Sequence, residues 1–168
     1  ALPEHLLESE LFGYAGGSFT GSRREGKSGL FEIAKDGTVF LDEIAEMPQD
    51  SQAKILRVIQ DKRVRRIGGS KEIPVNTRII TATNRRLEQL VDQRRFRQDL
   101  FYRINVLPIH IPPLAERTDD ISILTEYFLF QLASRLGKQF QSISAEALDK
   151  LKQHHWPGNV RELKNVVE

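Results

Sequence analysis

Hydrophobic positions along the chain first suggest a short helix over Leu2–Phe12. Leu6, Leu7 and Leu11 share one side of it, Pro3 is tolerated in the first turn, and Gly13 ends it. From Gly13 to Gly29 the pattern lapses. Glycines recur at 13, 16, 17, 21, 26 and 29 among Ser, Thr and charges, with Phe19 the one large apolar side chain after Tyr14, which is loop composition. Thr38-Val-Phe-Leu-Asp42 is then a continuous apolar run ending in acid, the pattern of a parallel strand buried on both faces. Past Pro48, Gln49–Asp61 places Ala53, Leu56 and Ile59 or Gln60 at helical spacing. A strand followed by a helix suggests an α/β layer.

Val64–Ile67, the Gly68-Gly69 turn and Glu72–Val75 read as a hairpin, and Arg78–Thr83 as a second buried strand. An arginine-rich helical region, Arg85–Arg103, leads to a third strand predicted at Asn105–Ile111, which Pro112-Pro113 stops. Beyond this point the spacing changes. Asp119 and Asp120 suit a helix N-terminus, Ile121, Leu124, Phe128, Leu132 and Leu136 recur every three or four residues, and Gly137 closes the run. Further helices are predicted over Ser144–His155 and from Asn159, where Glu162 completes a capping-box spacing. The expected division is an α/β part over 1–113 and an all-helical part over 114–168, with no internal repeat.

Composition adds limits. A chain of 168 residues, 39% hydrophobic and 29% charged, fits one globular domain with a small appendage. A net charge of +2 lacks the basic excess of a dedicated nucleic-acid binder, and zero cysteines exclude disulfides and thiolate zinc sites. No window approaches a membrane span, and Ala1–Glu10 does not resemble a signal peptide, so a cytoplasmic protein cut at both ends is expected.

The chemistry-bearing residues start with Asp42-Glu43. A buried strand would fix both carboxylates at the C-terminal edge of a sheet, where open α/β folds bind ligands. Such a pair suits nucleotide hydrolysis, Asp42 holding Mg²⁺ and Glu43 polarising water, although an apolar run ending in acid is also an ordinary strand entering a solvated turn. Gly21-Ser-Arg-Arg-Glu-Gly-Lys-Ser28 matches the spacing of a phosphate-binding P-loop, which would make the chain a self-contained P-loop NTPase. That motif needs a strand before it and a helix after it. Upstream lies Gly16–Thr20, and downstream Thr38 follows too soon after Ser28 for a parallel crossover, so the match is read as coincidence. Adjacent His154-His155 cannot share a metal as i,i+4 ligands would, and the basic run Lys62-Arg63 with Arg65-Arg66 reads as the exposed face of a strand.

Several separate motifs in one order point further. Glu8-Ser-Glu-Leu-Phe-Gly13, Gly17-Ser-Phe-Thr-Gly-Ser22, Gly29-Leu-Phe-Glu-Ile-Ala34 and Gly37-Thr-Val-Phe-Leu-Asp-Glu-Ile44 are followed by Arg78-Ile-Ile-Thr-Ala-Thr-Asn84, Phe96-Arg-Gln-Asp-Leu-Phe-Tyr-Arg103 and Trp156-Pro-Gly-Asn-Val-Arg-Glu-Leu163. Over essentially its whole length the chain resembles the central AAA+ ATPase domain of sigma-54-dependent bacterial transcription activators.

The resemblance implies a three-layer α/β sandwich of the P-loop NTPase type, without its first strand and P-loop, followed by a helical lid. Gly17, Ser18, Phe19, Thr20, Gly21 and Ser22 stand where the family has GAFTGA, the loop that touches the sigma factor. Serines replace both alanines, and Asp36 replaces a usual glycine. Asp42 and Glu43 match the Walker B acids, with Asp42 the Mg²⁺ ligand, and Asn84 matches sensor I. Arg97 and Arg103 match the pair that supplies arginine fingers to the neighbouring subunit, a role suited to a permanent planar cation. Arg161 matches sensor II. Also implied are ATP as cofactor and a ring of six or seven subunits. Expected partners are sigma-54 and RNA polymerase, and DNA through a C-terminal domain outside these residues. Residues 1–168 alone would hydrolyse ATP negligibly. A regulatory module that kept the fold without sigma contact stays open as an alternative.

Overall fold

A computed structural model describes residues 4–18, 24–139 and 142–168. The chain separates into two compact units, Ala1–Pro108 and Ile109–Glu168.

In the first unit, α1 (Glu4–Phe12) runs into β1 (Gly13–Tyr14), which pairs antiparallel with β2 (Lys27–Ser28). Gly13 opens β1 at φ 72, a conformation that favours glycine. Gly29 is fixed by space instead: a Cβ there would lie 2.4 Å from the Gly13 nitrogen and 2.5 Å from the Leu11 carbonyl oxygen. The backbones on either side of the Gly17–Ser22 segment therefore touch at its base. After α2 (Leu30–Ala34) comes β3 (Thr38–Leu41), and α3 (Gln49–Asp61) packs behind it. The hairpin of β4 (Arg63–Arg65) and β5 (Glu72–Pro74) follows, then β6 (Arg78–Thr81), α4 (Leu87–Asp92) and α5 (Gln98–Ile104). Strands β3 and β6 are parallel neighbours, with Val39 opposite Ile79 and Leu41 opposite Thr81. Their shared face joins Phe12, Phe31, Ile44, Ile55, Val64, Phe96 and Leu100 in one apolar core.

Two strand expectations are corrected. Strand β3 is buried on one face only: Val39 and Leu41 point into the core, while Phe40 is 59% exposed beside a half-open Ile80. A continuous apolar run therefore does not imply two covered faces; the elements described here cover one. The predicted third strand at 105–111 is not formed. Helix α5 continues to Ile104, and no strand among the described residues lies beside 105–111 to exchange backbone hydrogen bonds, so Val106, Leu107, Ile109 and Ile111 stand between 72% and 81% exposed.

The second unit holds α6 (Asp119–Arg135), α7 (Ala145–Gln153) and α8 (Asn159–Val167) around Leu114, Ile121, Trp156 and Leu163. Asp119 and Asp120 occupy the first turn of α6 as expected, and Ser144 caps α7 by accepting the Ala147 N–H. The α8 cap differs from expectation. Glu162 reaches the Gly158 N–H at 2.8 Å, while the Asn159 side-chain oxygen accepts the Leu114 N–H at 2.8 Å. Asn159 thus ties the helix start to the segment entering the unit. Leu136, expected on the apolar stripe of α6, is 57% exposed because the helix ends beside it. Among the described residues, no helix is long and apolar enough to cross a membrane.

Candidate functional site

The register of β3 on β6 decides which polar residues meet. With Leu41 opposite Thr81, the chain leaves both strands at the same sheet edge, and the ladder extends past them: Ala82 N–H donates to Leu41 O at 2.9 Å and Ile44 N–H donates to Ala82 O at 3.0 Å. Asp42 and Glu43 fill the gap between Leu41 and Ile44, and Thr83-Asn84 continue from Ala82. The acids and Asn84 are all exposed at this edge.

Glu43 has φ 52 and ψ 42, a left-handed conformation costing a non-glycine residue on the order of 1 kcal/mol. It is held there by the Asp42 carboxylate, which accepts the Glu43 N–H at 2.9 Å, and by the Ile44–Ala82 hydrogen bond that follows. Arg85 and Glu46 pair at 2.9 Å and tie the two strand exits together. Two exposed carboxylates and an amide thus stand just past the ends of two adjacent parallel strands, and their oxygens are of the ligand type that hydrated divalent cations take. Among the described residues, no group of three or more His, Cys, Asp or Glu side chains could hold a metal unaided.

Arg97 precedes α5, and its guanidinium grips the Asp99 carboxylate through two bonds, Nε to Oδ1 at 3.0 Å and Nη2 to Oδ2 at 2.7 Å. The guanidinium beside it holds the Asp99 carboxyl below its usual range. Both side chains are exposed to solvent. Arg103 lies one helix length on, exposed in the last turn of α5. Arg161 is exposed on α8 in the second unit.

Of the Gly17–Ser22 segment, Gly17 and Ser18 are described. Gly17 has φ 73 with open space around it, and Ser18 Oγ donates to Ala15 O and lies 3.1 Å from Ile67 O in the hairpin. Phe19, Thr20, Gly21 and Ser22 lie outside the described residues. The stem is bound to the hairpin beneath it, because Ala15 N–H donates to Ile67 O and Ile67 N–H donates to Gly13 O, each at 2.9 Å. Arg66 reinforces the join. It forks onto Glu32 at 2.8 and 2.7 Å and donates to Ser28 Oγ at 2.9 Å, on the returning arm of the loop. Hydrogen bonding to Arg66 holds the Glu32 carboxyl below its ordinary value.

Comparison with known proteins decides the family. Residues 1–110 match the family described as the Sigma-54 interaction domain, and residues 115–168 match the AAA+ ATPase lid domain. The chain belongs to the sigma-54 interaction domain family. Its relatives include the formate hydrogenlyase transcriptional activator of Escherichia coli, 50% identical over all of this chain and 24% of that protein. The nitrogen fixation protein AnfA of Azotobacter vinelandii is 52% identical over 99% of the chain and 31% of its own length. This sigma-54 interaction domain therefore spans roughly a quarter to a third of these curated relatives. Among solved structures, NtrX from Brucella abortus in complex with ATP superposes with a TM-score of 0.87 at 40% identity, over the whole chain and 36% of NtrX. A closed-state Hsp104 assembly, 19% identical with a TM-score of 0.72 over 99% of this chain and 32% of its own, shares the fold.

Within the sigma-54 interaction domain, the P-loop-like spacing at Gly21–Ser28 does not sit in P-loop surroundings. Lys27 and Ser28 form β2, the following helix is only the five residues Leu30–Ala34, and Lys27 Nζ pairs with Glu10 at 2.5 Å. His154 Nδ1 accepts the Trp156 N–H at 3.0 Å and its ring packs on the indole, a capping role. Arg63 and Arg65 both pair with Glu72 on the exposed hairpin face, as the strand pattern predicts. Arg66 departs from that pattern by turning toward Glu32. Sequence reasoning also passed over Gln52, whose signal was available: a polar side chain three and four residues before Ile55 and Leu56 shares their buried stripe.

Proposed function

We propose that this domain, in its full-length protein, is an ATPase motor that works in a ring and remodels the sigma-54 form of RNA polymerase so that promoter DNA opens. Over 1–113 the α/β domain carries the Walker B acids, sensor I and the sigma-contacting loop; over 114–168 the lid carries Arg161. The observation that carries this reading is the Leu41–Thr81 register, which brings Asp42, Glu43 and Asn84 to one sheet edge.

The donor set fits nucleotide chemistry. Asp42 would take Mg²⁺ together with phosphate oxygens, Glu43 would orient and polarise a water, and Asn84 would hydrogen-bond the terminal phosphate. Bound Mg²⁺ would supply charge neutralisation at the phosphates. Arg97 and Arg103 face outward from their own chain, as cations offered to a nucleotide held by a neighbouring subunit must. A finger supplied in trans is worth roughly 10³ to 10⁵ in rate. NtrX crystallised with ATP and with ADP lends support to nucleotide as ligand. Because Lys27 is engaged in β2 and paired with Glu10, it is not assigned to a phosphate cradle, and residues 1–168 alone turn over ATP negligibly.

Gly17, at φ 73 with open space around it, turns the chain into the loop, and Phe19 is the apolar anchor for sigma. The test uses the full-length protein. Glu43→Gln is expected to abolish both ATP turnover and promoter opening, whereas Phe19→Ala keeps turnover and loses opening. Undiminished promoter opening by Phe19→Ala would show a module that does not act through sigma contact.

A further inference from the structure

Gln52 is wholly buried on α3, yet every hydrogen bond found for its amide goes to backbone outside its own helix. Nε2 donates to Met47 O at 2.7 Å and to Arg95 O at 3.2 Å, and Oε1 accepts the Arg97 N–H at 2.9 Å. For packing beside Ile55 and Leu56, a leucine or methionine would serve as well and would avoid desolvating a primary amide. The amide adds a fixed distance between two pieces of chain. One is Met47, which ends the turn following Asp42-Glu43. The other is the segment that presents Arg97.

That segment is closed onto α4 by its own backbone, the Arg95 and Phe96 N–H groups both donating to Leu90 O, at 2.8 and 3.1 Å, and the glutamine contacts hold its other side. Gln93–Arg97 leaves α4 through Arg94 at φ 58 and plugs Phe96 into the core at 2% exposure. Gln49, one turn before Gln52 on α3, donates Nε2–H to Arg94 O at 2.6 Å from the solvent side. The two glutamines thus grip the backbone at Arg94, Arg95 and Arg97, and Asp99 orients the guanidinium that follows.

We propose that Gln52 is a positioning residue for Arg97, and that through Met47 it sets the spacing between the acid pair of one subunit and the arginine which that same subunit offers to the next active site. The proposal rests on Arg97 acting as a trans finger. A finger must meet its phosphate within a fraction of an ångström, and a misplacement of about 1 Å can cost about 100-fold in rate. Releasing the Arg97 backbone should therefore act on turnover.

The experiment compares single-turnover ATP hydrolysis by the full-length protein, its Gln52→Met and Arg97→Ala variants and the double variant, at concentrations where rings form. Fluorescent-nucleotide binding and ring assembly are measured alongside. Gln52→Met is expected to lower the hydrolysis rate about 10-fold with nucleotide affinity held within about 2-fold, and to add less than about 2-fold to the loss caused by Arg97→Ala. An unchanged rate in Gln52→Met, with a large loss in Arg97→Ala, overturns the proposal and leaves the finger assignment standing. An unchanged rate in Arg97→Ala overturns the finger assignment itself. Equal losses from Gln52→Met with and without Arg97 show that Gln52 serves the core alone and contradict the proposal. If Gln52→Met does not assemble, Gln49→Ala decides: a rate loss of about 2- to 3-fold that vanishes in the Arg97→Ala background supports the grip on this segment, and its absence contradicts it.

Discussion

Arg66 on the hairpin and Glu32 on α2 form a two-bond ion pair at 2.7 and 2.8 Å, with the carboxylate side chain only 10% exposed. Because Arg66 also bonds Ser28, one guanidinium joins the hairpin, α2 and the returning arm of the Gly17–Ser22 loop. Removing Arg66 leaves a nearly buried carboxylate without its cation. Arg66→Ala is expected to cost about 2 kcal/mol in the stability of this unit, read from denaturant midpoints at pH 7.

The same pair sets a pH dependence. Glu32 titrates below its ordinary value of 4.5 in the folded chain, so its stabilising contribution is complete above that value and is lost as pH falls through the lowered folded one. The stability gap between the parent and Glu32→Gln should therefore be constant from pH 7 to about 5 and shrink on further acidification. Unfolding curves on both proteins across that range check it, and a gap that widens in acid would contradict the assignment.

Lys27 separates the rival P-loop account from the present one. It sits in β2 and pairs with Glu10, both side chains more than a third exposed, so solvent screening leaves the pair worth well under about 1 kcal/mol. Lys27→Ala in the full-length protein should leave ATP affinity within about 2-fold and barely move stability. An affinity loss of about 100-fold would make Lys27 a phosphate ligand after all.

How far these features could be read in advance depended on their range along the chain. Local signals succeeded: Asp42-Glu43 closing an apolar run, the Gly68-Gly69 hairpin, and Asp119-Asp120 opening α6 each follow from a few adjacent residues. Partner-dependent signals did not. Whether Val106–Ile111 becomes a strand depends on a neighbour to pair with, and Phe40 alternates with buried Val39 and Leu41 in a way that composition hides. Asn159 matches a capping-box spacing, yet its side chain answers Leu114, far away in sequence. Arg66 was hidden in a basic run for the same reason: its carboxylate lies on α2, and only the fold brings it near.

Trp156 provides an intrinsic probe of the helical unit. It is the only tryptophan, 2% exposed, and donates its indole N–H to Leu151 O at 2.8 Å. Its emission should be blue-shifted and should report unfolding of 109–168 alone. Trp156→Ala is expected to cost about 3 to 5 kcal/mol, enough to unfold this unit, as seen in lost helical circular dichroism.

The central claim is that acids from one subunit and an arginine from the next share one nucleotide. Its most direct test mixes full-length Glu43→Gln with full-length Arg97→Ala, each inactive alone, and measures ATP turnover of the 1:1 mixture. In a head-to-tail ring of randomly mixed subunits, about a quarter of interfaces unite an intact Glu43 with an intact Arg97. Turnover near that fraction of the parent rate is predicted; a mixture as inactive as its components would contradict the shared site.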